Sequence, residues 1–496
     1  MKLSVIATLA GLLASTAAFR GLPIPIGELS RQQQPAAIQS SLSASYPEYN
    51  LSIPIDHFLN ESIYEPHSRN KFNLRYWFDA QFYKPGGPIF VLCGGETDAQ
   101  DRLPFLQKGI VHEIAKATNG VGVILEHRYY GKSIPTPDFS TENLRFLTTE
   151  QALADTAYFA KHVKFQGLEG FDLTPEKTPW LAYGGSYAGS FAAFLRVVYP
   201  DTFFGAISSS GVPAAIWDYW EYYEAARIFG PPVCSRTQGK LTNIVDNILL
   251  NETNADYVVD LKTAFGIDAK IDNADFVSAI TGGITSLQSY NWDPEVSSDA
   301  FFTYCDTISN DENQFPALES NRPFVEKIVA QTGYADDPDP LVDRMLNYIG
   351  TQRSGSGSDS GSAEISDKSF YDQDDLSQTW RLWPYQVCTE DAFNITKPAD
   401  TDRINKYGSF NISYPRLAFV DGQWDPWRAA GVHALSQVQR DSTISEPMIL
   451  IDGGVHHWDE NGVFPNETKP GFPPKAVIMA KREMRDFVKE WLGDWV

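Results

Sequence analysis

The sequence is poor in positive charge. Its 40 lysines and arginines face 63 aspartates and glutamates, a net charge of −23 at neutral pH. A nucleic-acid partner needs a basic face to neutralise phosphate, so that class is excluded. The excess of carboxyls fits work at low pH, where protonation relieves self-repulsion, and it equally serves plain solubility. Long apolar runs are lacking too. The one candidate lies at the N-terminus, where Lys2 precedes an apolar stretch from Val5 to Leu13 and the small residues Thr16, Ala17 and Ala18. That order is the pattern of a secretory signal peptide, expected to span residues 1–18. No other run reaches the length of a membrane span. The mature chain is therefore expected to be secreted, with a vacuolar or lysosomal destination open. Cysteine is scarce, with Cys93, Cys234, Cys305 and Cys388 alone. A fold of this size needs few staples, and sequence does not choose among the three connectivities. The cysteine spacing matches no zinc pattern, and no metal or other cofactor is expected. Internal repeats are missing as well.

What is present is a large apolar fraction and a change of pattern along the chain. Hydrophobic residues make up 43% of the 496, enough for a substantial core and more than one usual domain length. Six N-x-S/T sequons, at Asn50, Asn60, Asn251, Asn394, Asn411 and Asn466, agree with a secretory route. Residues 19–46 are rich in proline, glutamine, serine and alanine and read as a lead-in or pro-segment. In residues 47–213, continuous apolar runs (Pro88 to Cys93, Val121 to Leu125, Trp180 to Tyr183, Phe204 to Ser208) alternate with helical patterns at Thr149 to Val163 and Tyr187 to Tyr199. Such runs predict a parallel sheet covered on both faces. Residues 214–394 lose them. Amphipathic segments such as Leu241 to Leu250 and Tyr257 to Phe265, and a glycine-serine run at 354–362, predict a mainly helical insertion. Residues 395–496 return to strands, Arg416 to Val420 and Met448 to Ile451, and close on a helix from Lys475 to Trp491.

The stretch WLAYGGSYAGSFAAF, Trp180 to Phe194, carries the chemistry. An apolar strand ends in two glycines and Ser186, and a small-residue helix follows at once. A serine on such a corner is a nucleophile elbow, which holds Oγ clear of the sheet. The next amide, that of Tyr187, then points at a developing oxyanion, helped by the helix N-terminus. The usual pattern G-x-S-x-G is imperfect here, with Ala188 at the last position. A serine needs a base, and the base an orienting carboxylate, in the chain order Ser, Asp or Glu, His. Asp425 follows a late strand and precedes Pro426, which disfavours a helical backbone. Asp421 and Asp452 are alternatives, but each precedes a turn glycine, where aspartate commonly bonds locally. Six of the eight histidines, His433 among them, lie upstream or inside predicted elements; only His456 and His457 follow the last strand in the required order. Two other motifs fail. Gly131-Lys132-Ser133 resembles the end of a phosphate loop, but Glu126 stands where its first glycine should be. His456, His457 and Asp459 could suggest a metal, but adjacent histidines rarely point at one ion.

The chain resembles the serine peptidases typified by lysosomal Pro-Xaa carboxypeptidase, dipeptidyl peptidase II and the fungal secreted prolyl endopeptidases. The likeness rests on Ile55-Asp56-His57-Phe58, Leu74-Arg75-Tyr76-Trp77, the E-H-R-Y-Y-G block from Glu126, the segment Leu147 to Asp155, Gly184-Gly185-Ser186-Tyr187, Tyr385 to Glu390, the D-P-W block at Asp425, and Gly454 to His457. It implies an α/β-hydrolase fold with a mainly helical cap inserted between the nucleophile region and the Asp and His strands. It implies Ser186 as nucleophile, Asp425 as orienter and His456, rather than His457, as base. The oxyanion would be held by the Tyr187 amide and the loop at Gly94 and Gly95, with Glu96 of that loop and Trp427 beside the substrate. Trp427 falls where the family lines a proline pocket, and an aromatic face suits a pyrrolidine ring. Cys234 and Cys305 match a family disulfide, which leaves Cys93 and Cys388 free. The implied reaction is hydrolysis of peptide bonds on the carboxyl side of proline, in dipeptidyl-peptidase, carboxypeptidase or endopeptidase mode, with peptides or proteins as partners. A lipase or esterase on the same fold, and an inactive hydrolase-like binding protein, are the rivals. An arginine several residues past the histidines in the animal carboxypeptidase is replaced by Asn461.

Overall fold

The computed structural model describes residues 45–250, 255–355, 373–389 and 400–495. The expected signal peptide, nearly all of the 19–46 segment, Asn251, Asn394, most of the 354–362 run and the side chain of Cys388 lie outside the described residues.

Eight strands form one sheet: β1 Tyr49–Pro54, β2 Lys71–Asp79, β3 Ile89–Cys93, β4 Val121–Leu125, β5 Trp180–Gly185, β6 Gly205–Ser209, β7 Leu417–Gly422 and β8 Met448–Ile451. Their spatial order is β1-β2-β4-β3-β5-β6-β7-β8. From β4 to β8 all pairings are parallel, whereas β2 runs antiparallel to both β1 and β4. The sheet is thus mixed, not wholly parallel. The continuous runs mark strands buried on both faces, and β3, β4 and β6 are buried at every position. β1 alternates instead, with Asn50 and Ser52 exposed and Leu51 and Ile53 turned toward the core, and no continuous run announces it.

Helices cover the sheet: α1 Ile110–Thr118, α2 Thr149–His162, α3 Tyr187–Val198 and the closing helix Lys475–Gly493. α2 starts where the Thr148 side chain accepts the Gln151 amide at 3.3 Å. In the closing helix Val477, Ala480, Met484, Phe487, Val488 and Trp491 make one buried stripe at helical spacing. Parallel strands flanked by helices and a strand–serine–helix corner at the centre of the sheet define the α/β-hydrolase fold.

The described chain divides into two compact units, the smaller holding Trp220–Tyr290 and Ser297–Gln373. Its edges differ from the expected 214 and 394, because flanking segments bond to the sheet unit. Ala215 exchanges hydrogen bonds with the Asn405 side chain at 2.9 and 3.0 Å. The Phe139 amide donates to the Asp374 carbonyl at 2.6 Å, and Tyr130 Oη to Gln386 Oε1 at 3.0 Å. Among its described residues the smaller unit contains helices and no strand. α4 Pro232–Leu249 turns Leu241, Ile244, Val245 and Ile248 inward on one stripe. A disulfide ties Cys234 of α4 to Cys305 of α5, Ala300–Ile308. Cys93 is a buried free thiol in β3.

Candidate active site

The parallel strands deliver their carboxyl ends to one edge of the sheet, the usual place for ligands in such folds. β3 leads into Gly94 and Gly95, β5 into Ser186, β7 into the loop of Asp425 and β8 into that of His456.

Ser186 has φ 59° and ψ −126°, a backbone that a side chain rarely accepts. Several bonds enforce it. The Ser186 amide donates to the Ser209 carbonyl at 2.9 Å, and the Ser186 carbonyl accepts from Gly189 and Ser190 at 2.9 and 3.1 Å. The first of the two glycines before it is sterically required, and the second lies against a side chain that a methyl would have to move. A Cβ at Gly184 would lie 1.9 Å from the Ala188 carbonyl oxygen, and one at Gly185 would lie 2.3 Å from Glu460 Oε1. Ala188 itself has room for its methyl, so the departure from G-x-S-x-G leaves the corner intact. The next glycine, Gly189, is where the helix meets β6: a Cβ there would be 2.7 Å from the Ser209 carbonyl oxygen.

Asp425 and His456 meet. His456 Nδ1 is 2.8 Å from Asp425 Oδ2, and both side chains are buried. The other oxygen, Oδ1, accepts the Trp427 amide at 3.0 Å, so a local turn fixes the carboxylate. A carboxylate can only accept, which places the proton on Nδ1 and leaves the Nε2 lone pair as the ring's free function. His456 Nε2 and Ser186 Oγ are both buried and without a hydrogen-bond partner. Gly94, Gly95, Tyr187 and Ala188 line one small cavity, and Gly95 holds a left-handed φ of 72°. The Trp427 ring lies 6.4 Å from that of His456 and 5.7 Å from that of Tyr219.

Several contacts among the neighbours were not legible in the sequence. His457 stacks on His456 with ring centroids 3.9 Å apart, and its Nδ1 is 3.3 Å from Glu460 Oε2. Burial, and the charge of His456, lower the His457 pKa against the pull of Glu460. Burial would raise the Glu460 carboxyl, but His457 and Arg102 outweigh it and hold it below the usual range. Glu96 is buried, and burial pushes its carboxyl up, offset in part by Arg102 and His456. Asp459 accepts Ser209 Oγ at 2.5 Å and Tyr183 Oη at 2.7 Å. Burial and Glu460 push its carboxyl up to about 6. Among the described residues no cluster of side chains could hold a metal ion. Asp421 does not bond locally as its turn glycine suggested; it takes His433, 2.6 Å away. Asp452 is exposed.

Fold and corner together place the chain among α/β-hydrolases. A profile of the family described as Serine carboxypeptidase S28 matches residues 54–403, most of the chain, including Ser186 but ending before Asp425 and His456. The chain belongs to this family of serine peptidases. A protein of Arthroderma benhamiae named "Probable extracellular serine carboxypeptidase" is 46% identical over 95% of this chain and 72% of its own length. The lysosomal Pro-X carboxypeptidase of Homo sapiens is 25% identical over 97% of this chain and 95% of its own. The serine protease vicPb of Bipolaris victoriae is 27% identical over 78% of this chain and 80% of its own.

Proposed function

We propose that the protein is a secreted peptidase that cleaves after proline through a Ser186–His456–Asp425 triad. The observation that carries this reading is the 2.8 Å Asp425–His456 bond, which leaves Nε2 as a free base on the sheet edge that also holds the strained Ser186. In this mechanism His456 Nε2 takes the Ser186 Oγ proton as Oγ attacks the substrate carbonyl. Asp425 holds the imidazolium in orientation. The oxyanion is met by the Tyr187 amide and the Gly94–Gly95 loop. His456 then returns the proton to the leaving amine, and water releases the acyl group from Ser186 by the same route. Trp427, with Tyr219 beside it, offers apolar aromatic surface for a pyrrolidine ring. Glu96, on the Gly94–Gly95 loop, is kept as the candidate polar neighbour of the substrate.

Carboxypeptidase action is the mode favoured, on the names of the family and of two relatives. Secretion is supported by the N-terminal pattern, by the extracellular relative, and by the exposure of Asn50, Asn60, Asn411 and Asn466 as sites for glycan. Among the described residues no helix is long and apolar enough to cross a membrane.

The test is a peptide series with proline at varied distance from free and blocked ends, at about pH 4 to 7, with Ser186→Ala as control. Loss of one residue after a penultimate proline is the expected result. Release of an N-terminal dipeptide or an internal cut would change the mode. Turnover of esters alone would replace the peptidase reading with the esterase one.

A further inference from the structure

Asp421 and His433 form a second buried aspartate–histidine pair, apart from the one bonded to the proposed base. His433 Nδ1 lies 2.6 Å from Asp421 Oδ2, and the two residues are 1% and 5% exposed. Asp421 is the next-to-last residue of β7. His433 comes twelve residues later, at the far end of the loop that carries Asp425 and Trp427. As with His456, the carboxylate can only accept, so His433 Nδ1 donates whether the ring is charged or neutral.

Inside the loop, Arg428 spans the same gap. Its Nε donates to the His433 carbonyl at 2.6 Å and its Nη1 to the Gln423 carbonyl at 3.0 Å. The rest of the loop contains one short 3₁₀ turn, Pro426–Ala430, and no strand. Its outer turn rests on the segment after β6, where a Cβ at Gly431 would come within 2.9 Å of the Gly211 carbonyl oxygen. Little regular structure fixes the two functional residues. Backbone bonds anchor it at three points, from the Gln423 amide to the Ile451 carbonyl, from the Trp424 amide to the Gly454 carbonyl and from the Ala214 amide to the Ala430 carbonyl; between them the side-chain pair at its base and the guanidinium across its middle tie the loop to itself.

We propose that Asp421 and His433 form a clasp that fixes the 422–433 loop, making both of them positioning residues for Asp425 and Trp427. The inference rests on the reading that Asp425 orients His456. A buried pair of polar side chains is a poor device for stability alone, because apolar residues of similar volume serve as well or better. Its use is directional: it admits one closure of the loop. That closure aims Asp425 Oδ2 at His456 while Oδ1 keeps the Trp427 amide.

The test compares His433→Phe, which keeps a ring and loses the donor, with His433→Asn, whose amide can donate from near the Nδ1 position. Asp421→Ala, which removes the acceptor, is the third chain. Two readouts are taken on folded protein normalised by active-serine titration. One is hydrogen exchange in the 424–433 segment, whose Trp427, Arg428 and Gly431 amides are bonded within the loop. The other is kcat and KM on matched peptides with proline or alanine before the cleaved bond. His433→Phe is expected to speed exchange, to lower kcat by about tenfold or more, and to raise KM more for the proline peptide. His433→Asn is expected to return both readouts toward wild type. Wild-type exchange and kinetics in His433→Phe would overturn the clasp, and so would losses that His433→Asn shares in full. If His433→Phe yields no folded protein, Asp421→Ala takes its place, with faster exchange expected and unchanged exchange overturning the clasp. A wild-type protein that cuts no peptide would sink the peptidase reading instead, and the exchange arm would still decide the clasp.

Discussion

A serine hydroxyl is a weak nucleophile, and the proposed role of Ser186 needs a partner that changes that. The proposed triad divides the work by atom: Oγ attacks, His456 Nε2 takes the proton, and Asp425 keeps the other proton on Nδ1. Asp425→Asn tests the division. An asparagine can donate to Nδ1, which moves the ring proton to Nε2 and removes the base. The expected loss in kcat is about 10⁴-fold with little change in fold, as for orienting aspartates of other serine triads. Steady-state kinetics with circular dichroism checks it, and a loss below about tenfold would remove Asp425 from the mechanism. His457 matters at the same scale. Stacked on His456 and 3.3 Å from Glu460 Oε2, and with its pKa lowered by burial and by the charge of His456, it takes up a proton less readily beside the ring that becomes an imidazolium. The family resemblance favoured the first histidine, and the sequence could not show that the second lies flat on it.

At the scale of elements, the site was legible where one short stretch carries it. The elbow is local: a buried strand, two glycines, a serine, a helix. Asp425 and the His456–His457 pair each follow an apolar run closely enough for chain order to mark them, and the family resemblance chose His456. What escaped were relations between distant segments. β1 and β2 pair as the antiparallel edge, and alternating burial in β1 hides it from a search for continuous runs. Glu460 packs against Gly185 from another loop. Asp421 looked like a turn aspartate and His433 like a structural histidine, because neither has its partner within reach of a motif. The elbow yields its own prediction. Gly185→Ala should slow labelling of Ser186 by an active-serine reagent about tenfold or more, because its methyl must displace Glu460 and the ring of His457. Labelling at the wild-type rate would mean that the corner tolerates the shift. In the smaller unit, the Cys234–Cys305 bridge closes a loop of sequence separation 71. Replacing both cysteines with alanine should destabilise that unit by roughly 4 kcal/mol in the chain-entropy account. Denaturant unfolding of the two chains measures the difference, and equal midpoints would contradict it.

For the whole molecule, two buried groups pull stability in opposite directions with pH. Asp459 is raised from 3.8 to about 6 by burial and by Glu460. Its stabilising contribution is present below the unfolded value and lost as pH rises through the folded one, about 3 kcal/mol in all. His127 is lowered from 6.5 to about 4, chiefly by burial. Burial outweighs the bond that Nδ1 donates to the Arg128 carbonyl at 2.8 Å, which favours the charged ring, and Nε2 faces Tyr187 Oη at 3.2 Å. Its contribution is present above the unfolded value and lost as pH falls through the folded one, again about 3 kcal/mol. Between the two values the slopes nearly cancel. Asp459→Asn should therefore make Tm rise with pH across this window, and His127→Gln should make it fall; parallel Tm profiles for the two variants would contradict both assignments. The central claim, that Ser186 is the nucleophile and His456 with Asp425 its activating pair, is tested most directly by trapping. A fluorophosphonate is reacted with the whole protein, and the adduct is mapped by peptide mass spectrometry in wild type and in Asp425→Asn. The account predicts one adduct per chain, on Ser186, formed far more slowly in the variant. An adduct on another residue, or equal rates in the two proteins, would contradict it.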